Sequence, residues 1–327
     1  MLTIFKSNQP FIKILVFLVA VLLCVPLFFS DVSLNSSVYF RFTPIFEQIN
    51  AIKWLGFLLW IIIVVGEGLY LNYLANEFKL LNKNTHLPLI LFVLLNGFSV
   101  AGLVLNSTHL LHLFLLLALH QMLLMYNERK VNFKVFNVGF FIGLASVIYL
   151  PVGMLMLLVW FVIRYVKPIY WKEYVASILG FVVPFVYVTF YYFMNDNLTL
   201  ENVLFLTSST HIIEPNQLSV LEKTSWHYVV FIMLFAIFST VFSLSYIQIQ
   251  VVKVRKYITI ILLLLVILFV SQLVFEPITR TNIYSYQLFI IPITIIFSIP
   301  LIEMKRTRIA EGIFYLFVLM IIGNYFI

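Results

Sequence analysis

The sequence contains little charge. Only 10% of its 327 residues are Asp, Glu, Lys or Arg, whereas 63% are hydrophobic, and its mean hydropathy is +1.08. A water-soluble protein of this length needs far more charge to cover its surface, so these values exclude a soluble globule. Apolar stretches of about 20 residues, the length that crosses a bilayer, recur from end to end. The sequence therefore predicts one α-helical membrane domain over residues 1–327.

Cysteine is also scarce, and nucleotide-binding motifs are absent. The single Cys24 lies inside the first apolar stretch, so disulfides play no part. No small-residue cleavage site follows this stretch, and we expect a retained span instead of a signal peptide. The sequence has no Walker, GxGxxG, kinase or GxSxG motif, which argues against ATP-driven transport and serine hydrolysis on this chain. No cofactor is expected.

The apolar stretches predict an all-α bundle of about eleven transmembrane spans. Their predicted bounds are 11–29, 54–76, 87–105, 107–125, 135–150, 151–167, 174–193, 228–248, 257–275, 282–302 and 310–327. Pro151 separates the fifth and sixth segments. This pair is therefore two short spans, a re-entrant hairpin or one broken helix.

Basic residues are sorted to one side of the predicted bilayer. With the N-terminus in the cytoplasm and the C-terminus outside, 16 of the 20 Lys and Arg residues fall on the inner side. The outer exceptions are Arg41, Lys53, Lys223 and Arg280. Because basic residues resist translocation, this distribution favours both the number of spans and their direction. It also accounts for the net charge of +7 without a nucleic-acid partner.

The same orientation places two long polar loops, 30–53 and 194–227, outside the membrane. In the first loop, apolar and polar side chains alternate with helical periodicity, and the apolar positions are Ile45, Phe46, Ile49 and Ile52. The opposite face carries Glu47, Gln48, Asn50 and Lys53. This pattern predicts a short helix in the membrane interface. A loop that simply docks on the membrane is the alternative.

Charged residues next to the outer ends of spans are candidates for polar chemistry. Asp31 directly follows the first span, where an acid is also commonly just solvated. Arg280 precedes the tenth span and offers a planar set of donors that suits phosphate. The alternatives for Arg280 are contact with lipid headgroups and an ion pair with Glu276.

Glu67 lies within the second span in the sequence Gly66-Glu67-Gly68. A charged carboxylate at this depth is costly, so intramembrane acids are functional candidates. Glu67 is therefore either part of a proton pathway or a protonated, hydrogen-bonded side chain. In the second case Asn96 is the expected partner, with the glycines allowing helices to approach.

Three histidines lie along the fourth span. His109 and His120 are 11 residues apart and share a face, but about 16 Å of helix separates them, so one metal ion cannot bind both. His109 and His112 could share a site with His211 or His227 as a third ligand. No HExxH, CxxC or paired-carboxylate spacing accompanies these histidines, and we expect no metal site.

Residues from Asn106 to about Asp196 resemble a family of multi-pass inner-membrane proteins of Bacteroidota-type bacteria. The resemblance is carried by Asn106-Ser107-Thr108, the Leu-rich run His112 to Leu119, the run Phe136 to Pro151, and Gly180-Phe181-Val182-Val183-Pro184. It covers about a quarter of the chain. It implies a bacterial inner-membrane location but no particular activity.

The predicted architecture is also similar to the GT-C class of membrane glycosyltransferases. That class has an acid just after the first span, interfacial helices in the first outer loop, and outer arginines that face the phosphate of a polyprenyl-phosphate sugar donor. By position, the similarity implies that Asp31 is the catalytic base and Arg280 a phosphate ligand. Arg41, Tyr284 and His109 are further substrate-binding candidates.

Three hypotheses of function follow. The first is sugar transfer from a polyprenyl-phosphate carrier at the outer face, with membrane lipid as the partner. The second is a non-catalytic component that assembles with another membrane protein of the cell envelope. The third is a proton-coupled carrier that uses Glu67.

Overall fold

The computed structural model describes residues 5–6, 9–29, 42–98, 100–126, 128, 131–166, 170–204, 226–279, 287–304 and 306–324. Regular structure in these residues is entirely helical and includes no strand. The α-helices are α1 Phe11–Phe29, α2 Thr43–Asn50, α3 Lys53–Glu77, α4 Leu87–Asn96, α5 Val100–Leu103, α6 Ser107–Leu124, α7 Asn132–Ile148, α8 Leu155–Val166, α9 Trp171–Met194, α10 Leu200–Leu204, α11 Trp226–Ile249, α12 Val252–Thr279, α13 Ile290–Glu303 and α14 Thr307–Asn324. A 3-10 helix, Leu150–Met154, connects α7 to α8.

The helices confirm the predicted all-α class, and their length and composition are compatible with a membrane protein. Among the described residues, four helical segments are long and apolar enough to cross a membrane, namely α3, α6, α9 and Val252–Phe275 of α12. Shorter apolar helices lie at most of the other predicted spans. The protein is thus all-helical with segments suited to a bilayer. The eleven-span count and the orientation stay predictions.

The predicted third span is not one continuous helix. α4 ends at Asn96, α5 covers only four residues, and non-helical backbone leads to Asn106, the residue that caps the start of α6 at Ser107. The indole N–H of Trp60 on α3 donates to the carbonyl oxygen of Gly102 at 2.7 Å. The side-chain amide of Asn50 on α2 donates to the carbonyl oxygen of Leu105 at 2.8 Å. In an unbroken helix these carbonyl oxygens would accept hydrogen bonds from backbone N–H groups of the same helix, and here the two side chains replace those donors.

Helix α2 confirms the predicted short helix, but one residue of its predicted polar face, Asn50, is buried in the protein. Only 6% of the surface of Asn50 is exposed. Phe46 and Ile49 pack against the core as predicted. Asn50 is buried because its amide pairs the Leu105 carbonyl of the interrupted segment.

Pro151 lies in the 3-10 helix that reverses the chain between α7 and α8. A Cβ atom on Gly153 would lie 3.3 Å from the Ser146 hydroxyl oxygen. Seven residues of continuous helix would instead separate these positions by about 10 Å. The segment is therefore two helices with a tight turn, and not one helix bent at proline.

Helices α4 and α13 form the centre of the bundle. All ten residues of α4 are buried, and α13 is buried from Ile290 to Leu301 except for Ile293, which is partly buried. The two helices pack against each other, and α4 also packs against α3. A polar group placed between α3, α4 and the start of α13 is consequently shielded from both water and lipid.

A buried carboxylate–imidazole cluster as the candidate functional site

Glu67 projects from the middle of α3 into the bundle. Only 4% of the residue is exposed. The neighbouring Gly68 is buried, and a Cβ atom there would lie 2.9 Å from Cδ1 of Leu89 on α4. The missing side chain therefore lets α4 pack closely beside Glu67, as helix packing in membranes commonly requires. Gly66, in contrast, has open space where a Cβ atom would be.

Helix α6 brings two histidines to the same place. The side chain of Asn106 caps the helix by accepting a hydrogen bond from the backbone N–H of Thr108 at 3.0 Å. This cap fixes where α6 starts. His109 and His112 follow within the first two turns, three residues apart, and therefore lie on one face. Both are buried, with 2% and 0% of their surface exposed.

The carboxylate of Glu67 lies next to both imidazoles. Its Oε2 is 3.8 Å from Nδ1 of His109 and 3.7 Å from Nδ1 of His112. Both distances exceed the 2.7–3.2 Å range of a typical N–H···O hydrogen bond. One ligand atom from each of the three residues lies within 4.8 Å of the others. We call these residues, Glu67, His109 and His112, the carboxylate–imidazole cluster.

The backbone before α13 fixes the protonation of one imidazole. Nε2 of His112 lies 2.6 Å from the carbonyl oxygen of Gln287. A carbonyl only accepts, so Nε2 carries the proton, and in the neutral ring Nδ1 presents its lone pair toward Glu67. The side chain of Gln287 is held in turn, because its Oε1 accepts from the Thr108 hydroxyl at 2.8 Å and from the Asn106 amide at 3.3 Å.

The remaining polar atoms of the cluster are buried and unpaired. Within the part of the chain that the structure describes, no hydrogen-bond partner exists for either oxygen of Glu67, either nitrogen of His109, or Nδ1 of His112. An unpaired buried polar group costs about 1–3 kcal/mol, more when it is charged. Proteins rarely collect several such atoms in one place unless they bind something. The arrangement is therefore suited to a ligand.

The structure replaces the partner that the sequence suggested for Glu67. Asn96 donates its amide to the carbonyl oxygen of Phe92 at 2.9 Å, and its side-chain oxygen has no recorded partner. The polar neighbours of Glu67 are instead the two imidazoles of α6. His109 and His112 lie side by side, and the third group beside them is this carboxylate, not His211 or His227.

The structure shows no third histidine beside His109 and His112 among the described side chains. His120 lies apart, as its spacing predicted, with Nδ1 2.6 Å from the hydroxyl oxygen of Tyr70. His211 lies outside the described residues, and His227 belongs to α11 with its side chain outside the description.

The residues predicted for sugar transfer lie outside the described residues. These are Asp31, Arg41, Arg280 and Tyr284. Helix α12 continues through Glu276 to Thr279, beyond residue 275, where the predicted ninth span ends. Of the predicted substrate-binding residues, His109 is placed by the structure, and it lies in the carboxylate–imidazole cluster.

Comparisons with protein-family models, with curated proteins and with solved structures find no match. Arguments about function therefore depend on the geometry of this chain.

Proposed function

We propose that the protein is a multi-pass carrier of the bacterial inner membrane, and that its transported cation binds at the carboxylate–imidazole cluster. The proposal includes the eleven-span topology with the N-terminus inside. The observation that supports it most is the convergence of Glu67 with His109 and His112, all deeply buried and without hydrogen bonds to one another. Intramembrane ionisable residues of this kind mark ion pathways.

Interrupted helices next to the cluster support transport in particular. α4 ends at Asn96, α6 begins at Ser107, and the backbone at Gln287 precedes α13. Carriers commonly bind their substrates where helices are discontinuous, because helix ends and irregular backbone offer polar groups at membrane depth. Such a segment also changes conformation without breaking the hydrogen bonds of a full helix.

Charge at the cluster favours a cation. Glu67 is the acidic member of the cluster, and an ionised carboxylate carries one full negative charge that attracts a cation. The start of α6 contributes the equivalent of about +0.5 charge near His109. The carboxylate outweighs this partial charge, so a cation is attracted, while the helix end weakens its binding. Moderate affinity suits a carrier because the ion has to leave on the other side.

Flux measurements on reconstituted protein test the proposal. The full chain is incorporated into liposomes, and uptake of H⁺, Na⁺, K⁺, Mn²⁺ and Zn²⁺ is followed with trapped indicator dyes or isotopes. We expect flux of at least one of these ions, and Glu67→Gln abolishes it because the replacement keeps the shape and removes the charge. Glu77→Gln is the matched control, since Glu77 is an exposed carboxylate at the end of the same helix.

Two results would contradict the carrier function. One is the absence of flux for every ion tested, and the other is undiminished flux through Glu67→Gln. Whether transport is coupled to protons, as the sequence suggested, is a separate prediction. The same liposomes measure it by varying the pH gradient.

The other two hypotheses stay predictions, because no contact among the described residues favours them. Loss of sugar transfer in Asp31→Asn would support the glycosyltransferase. A membrane protein that co-purifies with the chain would support an envelope assembly.

A further inference from the structure

We propose that the carboxylate–imidazole cluster binds a divalent first-row transition-metal ion such as Zn²⁺. The ligands are one oxygen of Glu67, one nitrogen of His109 and Nδ1 of His112. This inference rests on the proposed function only in that both place the binding site at the same three residues. It adds the chemical class of the ion.

The distances between donor atoms suit a small tetrahedral ion. Zinc binds imidazole nitrogen and carboxylate oxygen at about 2.0–2.2 Å, which places neighbouring ligands of a tetrahedron about 3.4 Å apart. Oε2 of Glu67 is 3.7 Å from Nδ1 of His112 and 3.8 Å from Nδ1 of His109. The two carboxylate–imidazole distances need to shorten by only a few tenths of an ångström, and the two imidazole nitrogens start within 4.8 Å of each other.

The types of ligand select among cations. Two imidazoles and one carboxylate suit zinc and its first-row neighbours. Calcium and magnesium prefer sites made entirely of oxygen. Three protein ligands also leave a fourth position open, and an open position lets an ion exchange ligands as it enters or leaves.

The surroundings of His112 match those of known metal-binding histidines. Such histidines usually donate their second ring N–H to a carbonyl or carboxylate, which fixes the tautomer and orients the ring. His112 donates from Nε2 to the carbonyl of Gln287 at 2.6 Å and turns Nδ1 toward Glu67. In the neutral ring, the nitrogen that would bind the metal therefore presents its lone pair to the site.

A simple ion pair between Glu67 and a protonated histidine explains the geometry less well. A charge-assisted hydrogen bond of this kind closes to about 2.7–2.9 Å. Here the carboxylate lies almost equally far from both rings, and within the described chain neither ring nitrogen facing it has a hydrogen-bond partner. An ion between the three groups would satisfy all of them together.

Direct binding measurements test the inference. The full chain is purified in detergent and stripped with a chelator, and then titrated with Zn²⁺ by calorimetry and with Co²⁺ by visible absorption. We expect one equivalent to bind, with the strong visible bands of four- or five-coordinate Co²⁺. Glu67→Gln, His109→Gln and His112→Gln each weaken binding more than 100-fold, beyond the loss of about 10–100-fold typical of residues behind the ligands. His120→Gln leaves affinity unchanged.

The outcomes separate this inference from the carrier function. Absence of binding to the native chain, or native affinity in His109→Gln, overturns the metal site. Stoichiometric metal binding without ion flux supports the metal site and overturns the carrier function. Ion flux that depends on Glu67, without metal binding, supports the carrier function and overturns the metal site. If His112→Gln fails to fold, His109→Gln still tests the metal site, because neither ring nitrogen of His109 makes a hydrogen bond in the described chain that the substitution would remove.

Discussion

Replacing Gly180 with alanine tests the close contact of α7 with α9. A Cβ atom at Gly180 would fall well inside 3.0 Å of the carbonyl oxygen of Phe136 on α7, a distance that real Cβ atoms essentially never show. Gly139 faces the carbonyl of Ser177 in the same way. Because the opposing atoms belong to the backbone, no side-chain rotation relieves the overlap, and the helices have to separate by about 1 Å.

The size of the effect follows from two opposing terms. Overpacking typically costs about 1–3 kcal/mol. Alanine recovers up to about 1 kcal/mol through its higher helix propensity. Because the overlap at Gly180 is with backbone atoms, we expect the upper end of the overpacking cost, so Gly180→Ala should lower the free energy of unfolding by about 2–3 kcal/mol. Gly312→Ala is the matched control, since nothing lies within 4 Å of a Cβ atom there, and it should be neutral or stabilising.

Thermal unfolding in detergent, followed by tryptophan fluorescence, measures this difference. Gly180→Ala should unfold several degrees below Gly312→Ala. The double variant Gly139→Ala/Gly180→Ala should lose less than the two single losses together, because one separation of the helices relieves both overlaps. Equal stability of Gly180→Ala and Gly312→Ala would refute the close packing of α7 and α9.

Two further predictions concern the interrupted third segment and the loop before it. Trp60→Phe removes the hydrogen bond to Gly102 and should lower the free energy of unfolding by about 0.5–1.5 kcal/mol, measured by thermal unfolding. We also expect it to reduce cation flux. Unchanged flux would show that the interrupted segment does not contribute to transport. Burial, together with the positive charge of Lys13, lowers the pKa of His86 below its ordinary value. The unfolded chain therefore binds the proton more tightly, so stability is complete above about pH 6.5 and falls as the pH drops toward the lowered pKa. His86→Gln should flatten this part of the stability curve measured between pH 7.5 and 5, and an identical slope in the variant would exclude His86 as its source.

Much of the helical architecture was predictable from composition and apolar periodicity. The bounds of α1 and α3 match their predicted spans within a residue, because apolar runs of this length have few alternatives to a membrane helix. The break between α4 and α6 was not predicted because residues 87–105 are almost entirely apolar. Its local signals, Asn96-Gly97 and the capping residue Asn106, are common within unbroken membrane helices too.

The candidate site was predictable only in its parts. The spacing of His109 and His112 predicts a shared face, and the depth of Glu67 predicts a functional acid. Their meeting depends on α3 packing beside α6, a long-range contact that periodicity does not encode. The role of Gln287 was hidden for a different reason. Its contact with His112 uses a backbone carbonyl, which every residue type possesses.

The most direct test of a cation site at Glu67, His109 and His112 is anomalous diffraction at the zinc absorption edge. Crystals of the full chain are grown in lipid with Zn²⁺, and the anomalous difference map is calculated. We predict one peak inside the helix bundle, about 2.0–2.2 Å from a Glu67 oxygen and from one nitrogen of each imidazole. A map in which these side chains lie apart, or in which zinc binds only elsewhere, would contradict the site.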